Sequence, residues 1–140
     1  MKTLEFYTTV NKITSKDDRY PAEAYEFIND AVIYTVKVHE EHKNKTDSRH
    51  ISGKELLAGV EDFALKTFGP LAFNVFEEWG INDGIAIGNI VFNMVEHQLL
   101  TTSDKDSIDD FRETIEFEVK LSKPFLPKDP DILLSAPIIA

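Results

Sequence analysis

RHISGKELLAGVEDFALKTFGPLAFNVFEEWGINDGIAIGNIVFNMVEHQLL, from Arg49 to Leu100, decides the fold. It reads as three short helices in a row. Ser52 with Glu55 three residues later makes a capping box, and Ile51 and Leu56 are placed as a hydrophobic staple around it. Leu56, Val60 and Phe63, with Leu57, Ala64 and Phe68, continue the apolar face at helical spacing. Gly69 stops that helix and Pro70 opens the next. Leu71, Ala72, Val75, Phe76 and Trp79 form its stripe. Gly80 suits the left-handed position past a helix end, with Ile81 folding back on Phe76. Asn82 or Asp83 caps a third helix that buries Ile87, Ile90, Val91, Met94 and Val95 and ends near Leu99. Gly84 and Gly88 weaken its first turn.

Outward from this block, Leu4 to Ile13 predicts a short helix with Leu4, Tyr7 or Phe6, Val10 and Ile13 on one side. SKDDRYP is a polar break. Pro21 then starts the longest helix, whose face is Ala24, Phe27/Ile28, Ala31/Val32, Thr35 and Val38. After Leu100 the period changes. Ile115, Phe117, Val119 and Leu121 alternate with polar residues, the pattern of a half-buried strand. Leu99–Thr102 is the expected antiparallel partner across the acidic loop Ser103–Asp110, and residues 50–52 a small third strand. The expected fold is mainly α (α+β): a compact cluster of four to five helices with a C-terminal β-hairpin, winged-helix-like in plan. Residues 1–121 form one globular domain. Residues 122–140 form a proline-rich apolar tail that packs in cis or on a partner.

The composition sets bounds on function. The chain has 140 residues, 42% of them hydrophobic, ten Phe, no Cys and a net charge of −10. Thiolate zinc sites and disulfides are therefore impossible. The acidity discourages nonspecific binding to nucleic acid or anionic membrane. MKTLEFYTTVNKITS lacks a signal-peptide apolar core, and no apolar run reaches the roughly 18 residues of a spanning helix. A cytoplasmic protein is expected. Charge is uneven: residues 37–54 hold Lys37, Lys43, Lys45, Arg49 and Lys54 with His39, His42 and His50, whereas residues 104–118 hold seven acids against Lys105 and Arg112.

Each candidate chemistry has a plainer reading beside it. His39, His42 and His50 supply imidazoles for zinc, but the order H-E-E-H is not the H-E-x-x-H that puts two rings on one helical face. Asp104, Asp106, Asp109 and Asp110 crowd one loop, yet an EF-hand register from Asp104 puts Asp109 where glycine is needed and Ile115 where glutamate is needed. Ser52, Gly53 and Lys54 open a helix, which favours an anion, but the phosphate-loop motif is absent. Asp47, Ser48 and His50 are neighbours in sequence, which is not a catalytic triad. The third helix offers Asn89, Asn93, Glu96, His97 and Gln98 with no cation, and no Lys or Arg lies between Lys66 and Lys105. That is poor material for gripping phosphates.

DDRYPAEAYEFINDAVIYTV, RHISGKELLAGVEDFALKTFGPLAFNVFEEWGI and GNIVFNMVEHQLL with the following DDF resemble a small uncharacterised bacterial family, found chiefly among planctomycetes and verrucomicrobia. The resemblance spans roughly residues 17–118. GIAIG departs from the acidic-aromatic-glycine string expected before the last helix. The resemblance brings no catalytic residues to carry over, and no cofactor is expected.

The balance therefore leans away from catalysis. The expectation is an interaction or regulatory module with a protein partner, a homodimer before a monomer, in which Lys43, Lys45, Arg49, His50 and Lys54 contact an anion or partner. The alternatives are a winged-helix-like nucleic-acid regulator and a metal protein or enzyme built on His39, His42 and His50.

Overall fold

The computed structural model describes residues 2–42, 51–101, 107–112 and 117–125. They contain α1 (Leu4–Lys16), α2 (Ala22–His42), α3 (Gly53–Phe68), α4 (Ala72–Glu78), α5 (Gly84–Glu96) and α6 (Phe117–Ser122). Tight 3-10 turns lie at Gly69–Leu71, Ile108–Phe111 and Lys123–Phe125.

The local signals account for the boundaries. Ser52 Oγ accepts the Glu55 N–H at 3.1 Å and the Glu55 carboxylate accepts the Ser52 N–H at 2.9 Å, a closed capping box. Gly69 ends α3 with a positive φ of 56°. Pro70 falls in the turn before α4, so that helix is shorter than its sequence pattern predicts. At the end of α4, the Gly80 N–H donates to Glu77 O at 3.1 Å and the Ile81 N–H to Phe76 O at 2.8 Å. This is the expected Schellman motif. Asp83 caps α5 by accepting the Ala86 N–H at 2.9 Å.

α2 lies at the centre, packed against α1, α3 and α5. It contributes Ala24, Tyr25, Phe27, Ile28 and Ala31 to the core. Phe6, Val10 and Ile13 meet them from α1, Leu56, Leu57, Val60 and Ala64 from α3, and Ile87, Ile90 and Met94 from α5. The α1 stripe therefore runs through Phe6; Leu4 is 82% exposed and Tyr7 lies at the surface. Phe27 anchors an aromatic cluster, its ring centroid 5.2–5.7 Å from those of Phe63, Phe68, Phe76 and Trp79.

Two departures from the sequence pattern matter. The first is the hairpin. Residues 117–122 form α6 instead of a strand, Leu99–Thr101 follow α5 as irregular chain, and no strand occurs among the described residues. Apolar residues four apart in sequence fit a helical period as readily as a strand period. Leu121 is buried while Val119 is 51% exposed, which a common inward strand face would not allow. Ile115 and residues 103–106 of the acidic loop lie outside the described residues. The second departure is Leu71, expected in the α4 stripe but 63% exposed: it lies in the 3-10 turn before α4, and within α4 Ala72 and Phe76 are the fully buried residues.

Glycine sets three close approaches. A Cβ on Gly59 would overlap the Thr35 hydroxyl of α2. A Cβ on Gly88 would sit 2.6 Å from Ile108 Cδ1 and 2.9 Å from Phe111 Cγ, and one on Gly53 would sit 2.6 Å from Asp110 Cβ. The glycines that weaken the helices by propensity are thus where the Ile108–Phe111 turn and α2 dock. Gly59→Ala should lower unfolding free energy by about 1–3 kcal/mol in urea denaturation, despite alanine's better helix propensity. Adding Thr35→Ala should recover most of that loss; an additive double variant would refute the packing account.

Candidate functional site

The basic margin expected from sequence is only partly placed. Lys43, Lys45, Arg49 and His50 lie outside the described residues, as does the side chain of His42 at the end of α2. Lys54 is exposed on the first turn of α3. His39 Nδ1 lies 3.2 Å from Glu55 Oε2, so this imidazole meets the capping carboxylate of α3 and ties the end of α2 to the start of α3. Among the described residues no three His, Asp or Glu side chains assemble as a metal-ligand set. The N-terminus of α3 does not present an open anion cradle either. Gly53 packs directly against Asp110, whose carboxylate would repel an incoming anion. Asp110 in turn accepts the Ser107 N–H at 3.0 Å, and Asp109 pairs with Arg112.

A different set of polar residues does converge. The α1–α2 connection carries Asp17, Arg19 and Tyr20, α2 carries Tyr25, and α5 carries Asn89 and Asn93 four residues apart on one face. Asp17 caps the end of α1, where its backbone N–H donates to Ile13 O. Its carboxylate accepts Arg19 Nε at 2.9 Å, Arg19 Nη2 at 2.6 Å and the Arg19 backbone N–H at 3.1 Å. Asn93 Nδ2 donates to Asp17 Oδ2 at 3.0 Å and to the Tyr25 hydroxyl at 2.9 Å. Asn89 Nδ2 donates to the Tyr20 hydroxyl at 3.0 Å. The Arg19 guanidinium also lies 5.4 Å from the Tyr20 ring centroid, within cation–π range.

The electrostatics follow from these bonds. Hydrogen bonds from Arg19, then from Asn93, hold the Asp17 carboxyl well below the usual carboxylate range. The hydrogen bond to Asp17 pushes Arg19 above the ordinary guanidinium value. Burial pushes the Tyr25 hydroxyl up, so it stays protonated. Asp17 is therefore a paired anion and Tyr25 a neutral hydroxyl. The cluster is a clasp that pins the α1–α2 connection to α5. It also turns inward the two asparagines that a DNA-reading helix would present to base edges.

Two further ionic features lie on α3. The Tyr34 hydroxyl donates to Asp62, and Lys66 Nζ donates to the Tyr34 hydroxyl at 2.7 Å. Hydrogen bonding to Tyr34 and the charge of Asp62 raise the Lys66 pKa. Glu61 is half-buried, and burial raises its pKa against the opposing charge of Lys120 on α6.

No protein-family model, curated protein or solved structure matches this chain.

Asp17→Ala should cost roughly 1–2 kcal/mol at neutral pH, since Asn93 and the Arg19 backbone lose a charged acceptor near the surface. A depressed folded-state pKa gives stability that is present above the unfolded value near ~4 and lost as pH falls through the folded value. The wild-type advantage over D17A should therefore stay constant between about pH 5 and 8 and shrink below about pH 4 in urea titrations. A gap that persists undiminished at about pH 2 would exclude the ion pair as its source.

Proposed function

We propose that the chain is a non-catalytic protein-interaction or regulatory module. One contrast supports the reading: the polar side chains that converge are bonded to one another, while several large apolar side chains face water. Leu71 is 63% exposed, Val119 51% and Phe125 47%. Single exposed apolar residues are ordinary on protein surfaces. Leu71 immediately precedes α4, Val119 lies on α6, which packs on α4, and Phe125 ends the turn that follows α6. Apolar anchors on packed helices are what a protein partner uses.

Catalysis finds less support. General acid–base chemistry needs a titrating group within reach of a substrate. Asp17 is committed to Arg19, and Asn89 and Asn93 donate into the clasp. The winged-helix reading loses its wing at residues 117–122, and its reading helix is α5, whose Ile87, Ile90 and Met94 are fully buried. Membership of the bacterial family is proposed on the RHISGKELL and FGPLAFNVFEEWGI strings; it supplies no residue roles, so the surface of this chain carries the argument. No described helix is long and apolar enough to cross a membrane.

The test is affinity capture with three baits: wild type, L71D/V119D, and a variant with Lys43, Lys45, Arg49 and Lys54 changed to Ala. Circular dichroism checks that each is folded. A protein retained by wild type at high salt should be lost with L71D/V119D and kept with the Lys/Arg variant. A captured second copy, seen by light scattering as twice the 15.9 kDa chain mass, would make the partnership a homodimer. Equal capture by L71D/V119D would refute the apolar face. Retained nucleic acid that falls away steeply with salt would favour the nucleic-acid reading.

A further inference from the structure

We infer that the recess between the first turn of α3 and the Gly88–Phe92 face of α5 is a recognition site for a short acidic turn carrying a phenylalanine, and that the chain's own Ser107–Arg112 turn fills it at rest. The inference goes beyond the exposed apolar side chains and does not depend on them.

The floor of the recess is bare backbone, which makes it selective. A Cβ on Gly88 would sit 2.6 Å from Ile108 Cδ1 and 2.9 Å from Phe111 Cγ, so both side chains rest directly on α5. Phe92 lies one turn further along the same helical face. It meets the Phe111 ring edge-on, with centroids 6.1 Å apart and planes at 85°. Phe111 is 4% exposed. On the other side, a Cβ on Gly53 would sit 2.6 Å from Asp110 Cβ, which sets that acid against the first turn of α3. This turn is the positive end of a 16-residue helix and also carries Lys54. Its acid, Glu55, is turned to Ser52 and His39. The recess therefore offers apolar contact to a ring and an aliphatic side chain, and a positive helix end to a carboxylate.

The occupant is ordered by its own bonds. Ser107 Oγ accepts the Asp109 N–H at 3.2 Å, and the Asp110 carboxylate accepts the Ser107 N–H at 3.0 Å. The Arg112 N–H donates to Asp109 O at 3.1 Å, and the two side chains pair as well. In a 3-10 turn residues three apart eclipse one another, so Ile108 and Phe111 project from one side as paired anchors. A turn that carries its conformation with it loses less entropy on docking. Buried anchors seated in a desolvated recess are what a binding segment supplies. Covalent attachment lets the chain's own turn dock first. A free segment then binds with an apparent affinity reduced by the fraction of molecules already filled.

The test empties the recess and refills it from solution. The probe is the acetylated, amidated peptide Ser-Ile-Asp-Asp-Phe-Arg, residues 107–112. It is titrated into the nitrogen-15-labelled full chain carrying I108A/F111A. The Gly53 and Phe92 amide signals should shift saturably, while those of Thr9 and Lys12 on α1 stay in place. Wild type, already filled, should bind at least about tenfold more weakly. A peptide with both anchors changed to Ala should not bind, and one with Asp110→Asn should bind more weakly. Adding Gly88→Ala to the emptied chain should abolish the shifts, since the new methyl takes the anchors' place while favouring the helix. If I108A/F111A lacks the circular dichroism of wild type, Ile108→Ala alone is the receptor, and it should still bind more tightly than wild type. No saturable shift at Gly53 and Phe92, equal binding by the Ala peptide, or binding that survives Gly88→Ala would each overturn the inference. An Asp110→Asn peptide of undiminished affinity would overturn the acidic requirement.

Discussion

The close approach of α2 to α3 is the constraint on which the remaining packing depends. At Thr35 and Gly59 the two helices meet with no room for a methyl group. Thr35 is buried, and its hydroxyl is satisfied within its own helix by Ala31 O at 2.7 Å. It can therefore press against α3 without leaving a polar atom unpaired. That contact brings Phe27, one end of the α2 seam, among the half-buried Phe63 and Phe68 of α3 and the rings of Phe76 and Trp79. Small residues at one end of the seam and a cluster of rings at the other fix how α3 lies on α2. Once α3 is placed, α4 and α6 have a surface to pack on.

A second constraint acts from the opposite side of α2. The α5 helix is apolar where it meets the core and polar at Asn89 and Asn93, where it meets the α1–α2 connection. Tyr25 is fully buried, yet its hydroxyl is paired with Asn93, so burial costs little beyond desolvation that the bond offsets. The clasp and the apolar contacts of Ile87, Ile90 and Met94 hold the same helix. The Ile108–Phe111 turn seals a third side, seated in gaps left by Gly53 and Gly88. Shape and hydrogen bonding agree on one position for α5, which is the consistency expected of a uniquely folded core.

What the sequence made legible was what local chemistry determines. The Ser52 box, the Gly80–Ile81 Schellman motif and the Asp83 cap involve residues a few positions apart, and each stands as its spacing predicts. The clasp was not legible, because its partners are 68 to 76 residues apart. DDRY read as a polar break and Asn89 and Asn93 as polar residues that a recognition helix would offer; only the tertiary fold shows that each is the other's partner. The nearest available signal was a pair of asparagines at helical spacing in an otherwise apolar helix, which demands hydrogen-bond partners if buried. The α6 segment was misread for a different reason. Six residues with alternating apolar positions satisfy the strand period and also place residues i and i+4 on one helical face, so periodicity alone does not choose. Gly88 was legible as a helix-weakening residue but not as a docking site, since the turn it receives comes twenty residues later.

Function follows from how each kind of surface is spent. Polar groups that converge in a cleft and remain incompletely paired are what a substrate or metal exploits. In this molecule the convergent groups lie between α5 and the α1–α2 connection, and their bonds close on one another, which gives them a positional role. His39 likewise meets a carboxylate that already caps a helix. The apolar side chains of Leu71 and Val119 face water instead of the core. On the proposed interaction-module reading, exposed apolar side chains supply the binding capacity that an internally bonded polar cluster does not. On that proposed reading, the net charge of −10 would favour a partner of complementary charge, since electrostatic complementarity sets encounter rate and selectivity while apolar burial sets residence time.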